Sequence, residues 1–152
     1  MARRTANEKL QDSKDMPKVV IATEDRAIGH LGGSRLLIAP PLAYDAVMMT
    51  IPYGQVTTSE HIRSLLAKQH DADSTCQLTA GIFINIVAEA SDEREEDRTP
   101  YWRTLRKGGE LNPRFPGGLE RQRAMLEAEG HKVVQKGKRY FVEGYEEKLA
   151  KL

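Results

Sequence analysis

Cysteine is almost absent from this chain. The single Cys76 excludes an internal disulfide and a cysteine-rich zinc site, and it fits a reducing, cytoplasmic setting. Histidine is also sparse, and His61 and His70 fall on different faces of one candidate helix. No metal site is expected from them, and no cofactor motif is present. No apolar run approaches membrane-spanning length. Arg3 and Arg4 open the chain without an apolar signal core behind them. Aromatic residues make up only 6% of the sequence and there is one tryptophan, so the adjacent pair Tyr101-Trp102 stands out. Net charge is also low, at +1, which by itself does not mark a nucleic-acid partner.

The charge is unevenly spread. Glu89 to Arg98 carries six acids and two arginines, net −4, whereas Tyr101 to Arg139 carries ten Lys/Arg and four Glu, net +6. Such a split gives either a phosphate-facing and a solvent-facing side or an ordinary solvated surface. A length of 152 residues fits one domain with appendages.

Residues 1–15 are polar, charged and without period, which predicts a disordered tail. Residues 16–40 read as an N-terminal arm with short strands at Lys18–Ala22 and Leu36–Ala39 and a loop over Gly29–Ser34. The arm is too small for its own core and is expected to pack on the main domain. Pro41–Thr50 reads as a helix with Leu42, Ala46, Val47, Met48 and Met49 inward. Thr57-x-x-Glu60 reads as a capping box opening a second helix with Ile62, Leu65, Leu66 and Ala67 inward. Asp71–Ser74 reads as a turn, with Ser74 or Thr75 capping a mostly apolar third helix over Gln77–Ala90. Two helices joined by a short turn describe a helix-turn-helix; the competing reading makes the third simply a central core helix. Ser91–Arg98 reads as an acidic loop. A fourth helix spans Leu119–Glu129 with Gly130 after it. His131–Val134 and Arg139–Val142 flank Lys136-Gly137-Lys138 as a hairpin, or wing. Residues 146–152 read as a tail or short helix.

Tyr101 and Trp102 sit between Pro100 and Arg103. A proline suits a rigid turn, two rings suit stacking on a flat ligand such as a base, and arginine suits phosphate. The alternative is that both rings are core.

Four short motifs occur in series: Ile51-Pro52-Tyr53-Gly54-Gln55-Val56-Thr57-Thr58, Pro100-Tyr101-Trp102-Arg103, Gly117-Gly118-Leu119 and Glu129-Gly130-His131. In this order they resemble the DNA-binding domain of the O6-alkylguanine-DNA alkyltransferases, whose second motif is Pro-Cys-His-Arg. The resemblance covers roughly Pro41 to Val134 and implies, over residues 41–145, a mainly α, winged helix-turn-helix domain, a three-helical bundle with a small β-hairpin. In that family the cysteine accepts the alkyl group. Here Tyr101 takes its position and Trp102 that of its histidine partner. A phenol is a poor acceptor at neutral pH without an activating base. The chain thus resembles the alkyltransferase-like branch, which binds lesions without repairing them, and no catalytic residue is expected.

The resemblance implies a lesion pocket with Tyr101 and Trp102 at its floor and Phe115, Pro116, Gly117 and Gly118 along a wall. Arg103 and Glu129 are counted with the pocket: Arg103 matches the family arginine that holds the helix-turn-helix and pocket together, and Glu129 matches the glutamate that orders the histidine, here set either to accept the Trp102 indole N–H or to face solvent. The third helix would approach the minor groove, where the family uses an arginine; Gln77, Leu78 or Thr79 stands there. Ser59 falls where the family has a phosphate-rotating tyrosine. Lys136, Lys138 and Arg139 on the wing suit a phosphate backbone, or merely a soluble edge. The partners implied are double-stranded DNA, including DNA with O6-alkylguanine, and proteins of a repair pathway. Two other functions stay open: an enzyme using Cys76, the only thiol, at the start of the third helix, and an interaction protein that has lost DNA binding.

Overall fold

The computed structural model describes residues 4–152. Helix α1 spans Ala6–Gln11, β1 Lys18–Ile21, α2 Asp25–Leu31, β2 Arg35–Ile38, α3 Pro41–Met48, β3 Thr57–Thr58, α4 Ser59–Gln69, β4 Ser74–Thr75 and α5 Gln77–Glu93. A 3-10 turn at Tyr101–Arg103 leads into β5, Thr104–Leu105; then follow α6 at Gly118–Ala128, the wing strands β6 at Val133–Lys136 and β7 at Arg139–Val142, and a 3-10 turn at Tyr145–Lys148.

The helical body is organised around α5. Its inner face buries Ala80, Ile84, Val87, Ala88 and Ala90 against Tyr44, Val47 and Met48 of α3 and Ile62 and Leu66 of α4. A second cluster (Val56, Leu105, Leu111, Leu126, Val133, Val142) lies under the wing, and Trp102 packs against both. The mainly helical fold with a hairpin wing is therefore present.

Several sequence expectations are corrected. Residues 1–3 lie outside the described residues, but the rest of the expected tail is ordered. Thr5 caps α1 in a capping box with Glu8, and Glu93 accepts the free amides of Ala6 and Asn7 at 2.8 and 3.0 Å. Ala6 and Leu10 are buried; two apolar residues in a six-residue helix are too few to show a period. The expected loop at Gly29–Ser34 begins inside α2, which Gly32 ends in the left-handed conformation at φ 76°. The arm is stitched to the body, because β2 pairs antiparallel with β1 and parallel with β4. Ser74 and Thr75 are thus strand, not cap, and Cys76 occupies the N-cap of α5. The cap of α4 is Thr58, not Thr57: its side chain accepts from the His61 amide at 3.2 Å, while Thr57 pairs with Thr104 in a short parallel ladder. On α3, Ala46 and Met49 face solvent and Tyr44 takes the inward position. Helix α5 continues three residues into the expected acidic loop, to Glu93. The final residues are tied down, as Val56 exchanges backbone bonds with Lys148 and Ala150 at 2.9 and 2.8 Å.

Candidate nucleic-acid interface

Three of the four motifs meet at one carboxylate. Helix α6 ends with Gly130 and His131 amides returning to Glu127 and Leu126 carbonyls, a stop that delivers Glu129 inward. Glu129 accepts the Trp102 indole N–H at 2.7 Å, the Gly54 amide at 3.0 Å and Arg103 through Nε and Nη2 at 2.9 Å each. Gly54 reaches it from a turn closed by Gln55 N–H on Pro52 O, with a φ of 80° that favours glycine. Arg103 donates its remaining Nη1 to Ile51 O at 2.7 Å and lies over the Tyr53 and Trp102 rings at 5.6 and 5.4 Å. Burial pushes the Glu129 carboxyl up, but the bonds from Arg103, Gly54 and Trp102 outweigh it and hold it below the ordinary carboxylate value. This cluster clamps the Ile51–Gly54 turn to the Tyr101–Arg103 turn.

Tyr101 is a core residue. Its ring is 2% exposed, edge-on to Trp102 at 5.5 Å and to Phe115 at 5.3 Å, and its hydroxyl has no partner among the described residues. Burial pushes the phenol pKa up, so the neutral form is held at physiological pH. The wall is set by Gly117 and Gly118, both at positive φ (80° and 72°); a side chain at Gly117 would also collide with Arg121. Pro116 completes that turn, half-buried.

The open site lies beside this floor rather than over it. A groove of about 700 Å³ runs between the first turns of α5, the β5 strand and the Asn112–Phe115 loop, within the size range of small-ligand sites. Of the expected residues it contains Ser59, Gln77, Leu78 and Phe115; Tyr101, Trp102, Arg103, Pro116, Gly117, Gly118, Glu129 and Thr79 do not line it. Phe115, which packs edge-on against Tyr101, lines the groove, and Tyr101 does not. Thr79 turns its hydroxyl toward Cys76 O at 3.4 Å. No arginine stands on the first turn of α5; its exposed side chains are Gln77 and Leu78. Cys76 is half-buried and lies outside the groove lining.

Residues that sequence reasoning missed supply the charge. Arg63, Arg106 and Arg114 line the groove, and no acid does. They come from a helix, a strand end and a loop, so no run in the sequence brings them together. Asn112 joins the loop to α5 through Asn85 at 3.1 Å, and Gln122 of α6 holds the Asn112 amide at 2.8 Å. The hydroxyl of buried Thr104, also in the lining, has no partner among the described residues.

The wing is coupled to the groove through Glu110. Arg139 donates to Glu110 at 2.8 and 3.0 Å, and Arg106 lies 3.8 Å away on the other side. The Arg139 bond chiefly holds the Glu110 carboxyl low. Arg139 is therefore committed within the protein, while Lys136 and Lys138 are exposed and form no ion pair among the described residues. Lys136 lies over the Phe141 ring at 5.4 Å.

No family model matches this sequence, and neither does any curated protein. Solved structures do resemble it. One is Schizosaccharomyces pombe Atl1 in complex with damaged DNA containing O6-carboxymethylguanine, at 21% identity and a TM-score of 0.53, over 74% of this chain and 94% of that one. Another is the S. pombe ATL in complex with DNA, at 23% identity and a TM-score of 0.50, over 72% of this chain and 92% of that one. The chain shares the fold of these alkyltransferase-like structures.

Proposed function

We propose that this chain is a non-enzymatic DNA-binding protein of the alkyltransferase-like type. It seats duplex DNA along α5 and admits an O6-alkylated guanine to the groove without removing the alkyl group. The observation that carries the reading is the groove itself, with three arginines, no acid and an apolar side made by Leu78, Ile82 and Phe115. Phosphate oxygens suit the arginines, and an extruded base suits the apolar side. The similar S. pombe structures, one in complex with damaged DNA and one in complex with DNA, support the same partner class.

Physical grounds argue against alkyl transfer at the family's position. The Tyr101 phenol is neutral, buried against Phe115 and outside the groove lining. The neighbouring Trp102 indole is a donor committed to Glu129 and cannot act as a base. Without transfer, the product is a protein held on a marked site, which suits handing the lesion to repair proteins.

The test pairs binding with mass measurement. Incubated with excess O6-methylguanine duplex, the protein should bind and keep its mass. Arg63→Ala and Arg114→Ala should each weaken binding. A gain of one methyl mass, or arginine variants that bind like the wild type, would overturn the reading.

A further inference from the structure

The N-terminal arm carries an open sheet edge. Strand β1 is paired on one side only, in the order β1-β2-β4. The backbone bonds fix the phase of the ladder. Arg35 and Leu37 of β2 turn their carbonyls to the β4 side, accepting from the Asp73 and Cys76 amides at 2.9 and 2.8 Å. Leu36 and Ile38 therefore face β1, where Val20 and Lys18 stand opposite them. The Ala22 amide on Ser34 O at 2.7 Å keeps the same phase. Val19 and Ile21 thus point both N–H and C=O outward, and among the described residues no other segment bonds to them.

An unpaired edge is a template for another strand, and proteins blunt it with proline, charge or a covering element. Pro17 and Lys18 blunt the first end of β1. The other end has no such guard. Val20 is 42% exposed and Ile21 is 54% exposed, and the next charge along the chain is Glu24. Val19 packs against the core, so the strand is firmly mounted while its edge stays in water.

The free stretch is complementary to itself. Laid antiparallel about a two-fold axis at Val20, Val19 of one copy stands opposite Ile21 of the other. These are the residues with outward groups, so each such pair exchanges both of its N–H···O bonds. Val20 meets Val20 of the second copy as a non-hydrogen-bonded pair, the kind with the closer side chains. Lys18 falls opposite Ala22 and diagonal to Glu24 of the second copy. Glu24 forms no ion pair among the described residues, and Lys18 has only the exposed Asp15 at 2.9 Å. An unrelated extended peptide takes the backbone bonds but brings neither the matching valine nor the matching charge.

We propose that the β1 edge is a self-association site, at which two copies of this chain join β1 to β1 across a two-fold axis. The proposal does not rest on the DNA-binding reading, because no residue of the arm lines the groove. The joined strands make one continuous sheet through both copies. The contact is short, so the dimer is weak and depends on concentration.

The experiment is sedimentation of the full chain from low micromolar to near-millimolar concentration. The wild type should shift from monomer toward dimer. Val20→Lys and Val20→Glu each set like charges against each other at the axis, and each should stay monomeric over the same range. Mixed in equal amounts, the two variants should form a heterodimer, because opposite charges then meet. Val20 is exposed, so neither change should move the melting temperature. A wild type that stays monomeric throughout, a dimer that survives either substitution, or a mixture that fails to pair each overturns the proposal.

Discussion

Tyr101 packs its ring between Trp102 and Phe115 while its hydroxyl bonds to none of the described residues. Removing an unsatisfied buried hydroxyl is close to neutral or stabilising, so Tyr101→Phe should melt at or above the wild-type temperature. Tyr101→Ala should cost about 3–5 kcal/mol in denaturant unfolding, the range for buried aromatic truncation. If Tyr101 plugs the pocket, that same variant should open a deeper slot and discriminate more strongly for the alkylated base. Unchanged discrimination would mean that Tyr101 does not limit the slot. Glu129 is the other decisive residue. Its side chain is 4% exposed and that of Arg103 is 13%, so Glu129→Ala strands a buried guanidinium and should cost about 3–5 kcal/mol. The Glu129 carboxyl is held below its ordinary 4.5. Its contribution is complete above that value and is lost as pH falls through the lower folded one. His131 adds to acid sensitivity from higher up. Burial holds its pKa below 6.5, so as pH falls below 6.5 the unfolded chain takes up a proton that the folded chain resists. An acid titration of unfolding stability should fall first below 6.5 and again below 4.5, and Glu129→Ala should make the second fall smaller, with Glu110 and Glu93, also held low, supplying the remainder.

Among the elements, the wing is the most directly testable. Lys136 and Lys138 at its tip form no ion pair among the described residues, whereas Arg139 is held by Glu110. Removing both lysine charges should weaken DNA binding for all sequences alike and lower the salt slope by about one for every phosphate the wing no longer neutralises. An unchanged slope removes the wing from the interface. Arg139→Ala should act differently, by releasing Glu110 beside Arg106. The elements with repeated patterns were legible in the sequence: α4, α5, α6 and the wing fall within a few residues of expectation. Short elements were not. Helix α1 depends on Glu93, a residue distant in sequence, and β3, β4 and β5 are two-residue ladders whose partners no local signal reveals. The site was legible only in part. The motifs pointed to Trp102, Arg103 and Glu129 as neighbours, but they form the clamp behind the groove. Arg63, Arg106 and Arg114 converge only in three dimensions. Leu78 is one of three residues that the resemblance places at the start of α5, but its exposure is not legible in a mostly apolar helix.

For the whole molecule, a net charge of +1 conceals a division of labour. Acids gather at the end of α5 and the segment after it, where Glu93 holds α1 and Asp92 pairs with Arg121 at 2.7 Å. The groove at the other end of α5 has cations alone. A duplex approaching the groove therefore meets an attractive field, with the acidic end displaced along the helix. The clamp, the core and the wing form the frame, and the groove is what the frame presents. The measurement that tests this most directly is a titration of two labelled duplexes, one with a single O6-methylguanine and one with guanine, each at two salt concentrations. The account predicts salt-sensitive binding to both and tighter binding to the lesion. Equal binding to the two duplexes would contradict lesion recognition, and no salt-sensitive binding to either would contradict the DNA-binding groove itself.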